Sequence, residues 1–290
     1  MTAPLVLPDG VRLPLRNELE GPRAERDRLW AQVEKASLRP GFVVHSSESP
    51  EFACFFEVNV DANRLWRLFV ALAVELFGQG MSFPMPADQL GAADTNADTD
   101  AVSESDTDAV SESDTVNVGG RSVMTPPPMV PRHAVSESDT VNVDGVDDGV
   151  STAGGDTTVE GAGAHCQLLL SDADEELALI GTAPLSQILQ PLGEIDYQLA
   201  HDGWIHFGLV SESEGRVSGV FVTPTKHLQV WAQDREIVAS VLRGHGLVER
   251  DELAFLASYP VVVEPPEHAP SEFLSAGDLR IALGEEIAPG

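Results

Sequence analysis

The densest run of side chains able to donate, accept or carry a proton is His201-Asp202-Gly203-Trp204-Ile205-His206, followed by Lys226-His227 and then His245. Imidazoles bind metals and move protons near neutral pH, so two or three of them converging would make a metal or acid-base site. His201 and His206 differ by an odd number, which puts them on opposite faces of a sheet if both are extended. His206 and His227 can still meet across a sheet, with Asp202 or Glu212 as a third ligand, but nothing in the spacing demands it. The simpler expectation is a turn histidine and a half-buried strand histidine, with no metal and no cofactor. Lysine occurs only as Lys35 and Lys226, against 15 Arg. Lys226 could pair with a substrate carboxylate or phosphate; a cross-strand ion pair with a Glu is the simpler expectation.

Other chemistries find less support. Gly215-Arg216-Val217-Ser218-Gly219 lacks the arrangement of a nucleophile elbow. Cys54 and His45 fall on neighbouring predicted strands, but a Cys alternating with Phe reads as a core thiol. Gly161-Ala162-Gly163 precedes a strand and Gly244-His245-Gly246 ends a helix, so neither can cradle a phosphate at a helix start. The two Cys belong to no CxxC or Cys/His cluster. Acidic runs such as Asp172, Asp174, Glu175 and Glu176 are read as a solvated face, since the chain holds 47 Asp and Glu.

The elements that must position these residues follow from periodicity and punctuation. Leu5 to Leu7 and Val11 to Leu13 flank Pro8-Asp9-Gly10 and predict a small hairpin. An amphipathic helix is expected from Pro22 to about Ala36, with Leu29, Trp30, Val33 and Ala36 inward. Gly41 to Ser46 and Phe52 to Val60 read as strands. Asp61 reads as the cap of a helix running to Phe77, stopped by Gly78. Later come candidate strands at Cys166 to Leu170 and Leu177 to Ile180, a helix from Pro184 to Leu192 and an extended run from Glu194 to Ala200. Asp202-Gly203 predicts a hairpin turn into Trp204 to Val210, and Val217 to Val222 and His227 to Trp231 continue the sheet. Asp234 should cap a helix ended by Gly244, Glu249 to Ser258 a further helix, and Tyr259 to Val263 a last strand. Adjacent strands followed by helices favour an α+β fold, mostly antiparallel with several packed helices.

Between Asp88 and Ala164 there is no Phe, Trp, Tyr, Ile or Cys, and only one Leu, Leu90. Such a segment cannot bury enough apolar surface to offset the entropy of ordering it, and reads as a disordered insert. It repeats Val-Ser-Glu-Ser-Asp-Thr three times, and its 16 acids against Arg121 and Arg132 give it a net charge of −14. Asp94, Asn96, Asp98 and Asp100 alternate like the start of a calcium loop, but Thr99 and Ser105 stand where Gly and Glu are needed. The expected organisation is 1–87 as the first half of the core, 88–164 as the insert, 165–264 as the second half and 265–290 as a weakly ordered Pro-rich tail.

The net charge of −30 excludes a phosphate-backbone binder, whose affinity comes from basic residues displacing counterions, and disfavours an anionic membrane. Leu68 to Val74, the longest apolar run, is far short of a span. Met1 to Asn17 holds no basic stretch ahead of an apolar one, so the chain reads as soluble and cytoplasmic. Two functions fit. One is a non-catalytic acidic interaction protein, of an immunity or inhibitor kind, that docks a basic protein partner through Trp204, His206, Lys226, His227 and Trp231. The other is an enzyme or small-molecule binder with its site near His206, His227 and Lys226. The first predicts an exposed aromatic among acids; the second predicts that the three basic groups share a pocket.

Overall fold

The computed structural model describes residues 4–78, 165–266 and 273–287. The chain divides into two units, Met1–Phe83 with Val159–Gly290 and Pro84–Thr158, and the second lies outside the described residues. So do the repeats, the calcium-like run and the insert expected to be disordered.

The first unit is an α+β structure. In chain order its elements are β1 (Val11–Arg12), α1 (Arg23–Glu34), β2 (Gly41–Ser46), β3 (Cys54–Asn59), α2 (Ala62–Phe77), β4 (His165–Asp172), β5 (Ala178–Pro184), α3 (Leu185–Glu194), α4 (Asp196–His201), β6 (Ile205–Ser213), β7 (Arg216–Val222), β8 (Leu228–Ala232), α5 (Arg235–Gly244), β9 (Val262–Val263) and α6 (Ala276–Ile287). Seven strands form one sheet in the order β2-β3-β8-β7-β6-β4-β5, and every ladder in it is antiparallel. Pairing of β3 with β8 joins residues from before 79 to residues from after 164 in this one sheet.

Alternation sorts the sheet into two faces. Cys54, Phe56 and Val58 of β3, Leu168 and Leu170 of β4, and Phe207 and Leu209 of β6 share the main core with the buried side of α2. That side is Leu65, Leu68, Phe69, Leu72 and Phe77, an i, i+3, i+4, i+7 stripe. Buried residues of α3, α4, α5 and α6 join the same core, so these helices cover one face of the sheet. The other face carries a second cluster of Phe52, Leu169, Phe221 and Trp231, with Phe55, Leu177 and Val210 against it. Phe221 meets Trp231 edge-on at 4.8 Å, and Phe55 lies 5.2 Å from Trp231.

This aromatic layer needs a glycine beneath it. Gly208 stands opposite both Phe221 and Leu169, and a Cβ on it would lie 2.6 Å from Cγ of Phe221. The ring therefore occupies the volume that any side chain at 208 would take. Gly208→Ala should cost about 2 kcal/mol, the usual scale of overpacking, and less in a Phe221→Leu background. Urea unfolding of the four chains checks this, and equal midpoints for wild type and G208A would remove the contact from the account.

Several expected elements differ, each through a long-range partner. No Leu5–Leu13 hairpin forms: Val11 and Arg12 pair with Val263 and Val262, and Asp9 and Gly10 are bonded to His201. Asp61 sits at the start of α2 but does not cap it. Its Oδ1 accepts from the Val6 amide at 2.9 Å, tying the N-terminal segment down. Leu29, Trp30 and Val33 of α1 and Ala36 just beyond its end, expected inward, are half-buried and none is in the core. Glu194 to Ala200 is helical rather than extended, with Leu199 and Ala200 buried in α4. Asp202-Gly203 is accordingly a helix-to-strand turn, not a hairpin; Gly203 lacks a Cβ because Val11 Cγ2 and Val263 Cγ1 pack against it. Glu249 to Ser258 is not a helix beyond a 3-10 turn at Leu256–Ser258. Its backbone is spent elsewhere, with Arg250 N on Phe42 O at 2.9 Å and Ala254 O on Asn59 Nδ2 at 2.8 Å. The tail expected to be weakly ordered contains α6, whose Leu279, Leu283 and Ile287 are buried. Ser275 opens α6 by accepting from Asp278 N at 3.1 Å and donating to its carboxylate at 2.7 Å, a reciprocal cap.

Candidate functional site

The turn joining β7 to β8 places Lys226. Thr223 N donates to His227 O at 3.0 Å, enclosing the three-residue loop Pro224-Thr225-Lys226. Loops of this length end on a residue in the left-handed region, and Lys226 takes that place at φ 57°, where Gly is usual. A non-Gly residue there costs on the order of 1 kcal/mol. The conformation sends the side chain under the end of the sheet, where it is 4% exposed. Nζ donates to Leu199 O at 3.0 Å and to Ile205 O at 2.6 Å. Leu199 lies in the last turn of α4, so the amine satisfies a carbonyl that the helix leaves unpaired. Burial pushes the ammonium down to about 7, against a smaller pull upward from Asp202. Neither a Glu nor an open cleft is its partner.

Next to it, Asp202 shapes Trp204. Its Oδ1 accepts from Trp204 N at 2.9 Å, a turn built by the side chain two residues back. On its other side Trp204 O accepts from Ala173 N at 2.7 Å, and Asp172 Oδ1 accepts from the same amide at 2.9 Å. The Trp204 backbone is thus held from both directions while the residue stays 44% exposed. The turn that holds it is Asp172-Ala173-Asp174-Glu175-Glu176. Asp174, Glu175 and Glu176 are exposed, and Arg280 reaches Glu175 at 3.6 Å. Ser171 Oγ donates to Glu176 O at 2.6 Å and closes the turn from inside.

The histidines are engaged separately. His206 stands opposite Ser171 and is half-buried. Burial lowers its pKa, Lys226 adds to this, and carbonyl and carboxylate groups of Glu175 and Asp172 oppose it. His227 is fully buried beside Phe255, ring centres 5.1 Å apart, with the hydroxyls of Thr223 and Thr225 at 2.9 and 3.1 Å from Nδ1. Thr223 lies between the two histidines in the sheet, so their strands are about 10 Å apart. Burial pushes His227 down to about 4.

Of the residues expected to meet a partner, Lys226, His227 and Trp231 are 4%, 2% and 6% exposed and cannot present a contact surface. Trp204 and half-buried His206 remain. Among the described residues no group of three His, Cys, Asp or Glu is arranged to hold a metal, and no helix is long and apolar enough to cross a membrane. Cys54 and His45 do not meet: Cys54 Sγ donates to Ala232 O at 3.3 Å in the main core, while His45 pairs with Glu57 at 3.0 Å on the other face. The acidic turn beside Trp204 was legible only as a charge run, and the signal joining the two is Asp202, placed two residues before the tryptophan. Compared with known proteins, the chain matches no family model, no curated protein and no solved structure.

Proposed function

We propose that this chain is a soluble, cytoplasmic, non-catalytic interaction protein that binds a basic protein partner, in the manner of an immunity or inhibitor protein. One observation carries the reading. Trp204 is an exposed aromatic clamped through its own backbone, and that backbone is bonded to the turn that carries the exposed residues Asp174, Glu175 and Glu176. A tryptophan held in advance costs little ordering entropy on binding, and such residues dominate interface energetics. Carboxylates around it would steer a cationic surface and set the salt dependence, with the net charge of −30 adding long-range attraction. The other reading, a small-molecule or hydrolase-like site near His206, His227 and Lys226, is disfavoured because each of the three is engaged by different internal groups.

Affinity capture from lysate of the source organism tests this, with the full chain, Trp204→Ala and the double variant Asp174→Lys, Glu175→Lys as baits. A basic protein retained in stoichiometric amount by the full chain, eluted by salt, and weakened at least about 30-fold by W204A is the expected result, since a central Trp is worth about 2 kcal/mol or more. Equal retention by all three baits would defeat the proposal.

A further inference from the structure

Resting on that reading, we infer that β5 is the docking edge for an extended segment of the basic partner, which adds to the sheet as an antiparallel eighth strand. The two edges of the sheet are treated differently. At β2 the outer side is occupied at its N-terminal end, where Phe42 N donates to Val248 O at 3.1 Å and Arg250 N to Phe42 O at 2.9 Å. At β5 the outer side has no strand partner among the described residues. Edge strands are commonly guarded by Lys or other charges. The seven residues of β5, Ala-Leu-Ile-Gly-Thr-Ala-Pro, include none. Leu179 is 51% exposed on the face that carries the aromatic layer, and α6 packs the opposite face, with Ile287 against Gly181. Two guards remain, Pro184 at the C-terminal end of the strand and a bulge opposite Leu168 and Leu169 with Ile180 as its extra residue.

Charge selects the occupant. The acidic turn Asp172–Glu176 leads directly into the N-terminal end of β5. An added strand that runs antiparallel, as every neighbour in this sheet does, brings its C-terminal end to that turn. The partner segment therefore carries β-branched residues first and Arg or Lys at its C-terminal end. A second copy of this chain fits less well, since two bodies of net charge −30 would have to meet edge to edge.

Two capped peptides of one composition and opposite order, Val-Thr-Val-Thr-Arg-Arg and Arg-Arg-Thr-Val-Thr-Val, are the probes for the full chain. Intrinsic tryptophan fluorescence gives affinity, and hydrogen exchange locates the contact. The first peptide should bind at least 10-fold more tightly, slow exchange of β5 amides, and lose at least 10-fold on alternate backbone N-methylation or against Leu179→Lys, an exposed position. Equal binding of both orders, unaffected by N-methylation, overturns strand addition while the basic-partner reading stands or falls on the W204A capture. Failure of both peptides to bind overturns the inference as well. A sedimentation dimer abolished by L179K would assign the edge to a second copy and overturn it too.

Discussion

Unfolding free energy is expected to rise by about 2 kcal/mol between pH 7 and pH 9, and the rise should vanish in Lys226→Met. The folded pKa of Lys226 is about 7 against 10.5 for the free group. Within that window the unfolded chain keeps a proton that the folded chain has released, so stability increases with pH. Over the whole window the linkage is about 5 kcal/mol. The bonds at Nζ explain why release is tolerated. A neutral amine still offers two N–H groups, and Leu199 O and Ile205 O are the two acceptors. Above pH 9 the buried thiols oppose the trend. Cys166 is pushed up to about 11 and Cys54 is also raised, both chiefly by burial, so the unfolded chain loses those protons first. At pH 9, where Lys and Met are both uncharged, K226M should be less stable by about 3 kcal/mol, because two buried carbonyls lose their donors. Urea titrations at pH 7, 8 and 9 decide the matter. A flat wild-type profile, or a rise that survives in K226M, would mean that the ammonium is not held in that buried site.

What could be read from the sequence divides along the length scale of the interactions. β3, α2 and the run from β7 to α5 were legible because period and punctuation are local. Cys54, Phe56 and Val58 alternate, the α2 stripe repeats at helical spacing, and Asp234 does cap α5 by accepting from Glu236 and Ile237. The extended run at Val11 was legible but its pairing was not, since the partner of β1 is β9, some 250 residues on. Neither was the fate of Glu249 to Ser258, whose backbone groups are satisfied by Phe42 and Asn59 in place of a helical ladder. α6 was not legible although Ser275 and Asp278 form its cap, because Pro265, Pro266 and Pro270 shortly before it mark a break in regular structure. In the site, Trp204 and Trp231 looked equivalent as aromatics. β8 lies in mid-sheet with all five residues buried, which removes Trp231 from the surface, whereas Trp204 stands in a turn. Lys226 was conspicuous as a lone cation, but its left-handed backbone and its two carbonyl partners are tertiary facts.

Acid should destabilise the structure through His227, removing about 3 kcal/mol between pH 6.5 and pH 4. The folded pKa is about 4 against 6.5 for the free ring, so across this window the unfolded chain binds a proton that the folded one refuses. Stability from this group is complete above the unfolded value and is lost as pH falls through the folded one. The cause is geometric. Nδ1 already faces two threonine hydroxyls and Phe255 lies alongside, while among the described residues buried Nε2 has no hydrogen-bond partner and no carboxylate opposes the shift. A positive ring there would have neither water nor a counter-charge. His227→Asn keeps an acceptor for the threonines and cannot titrate. His201, His206 and His245 are also lowered by burial and act with the same sign, but they are common to both chains, so the difference between wild type and H227N isolates His227. Wild type should lose about 3 kcal/mol more than H227N over that range in urea unfolding. Hydrogen exchange should open first around Phe255, which packs on the ring, and parallel acid profiles for the two chains would show that His227 is not the buried neutral group that the geometry requires.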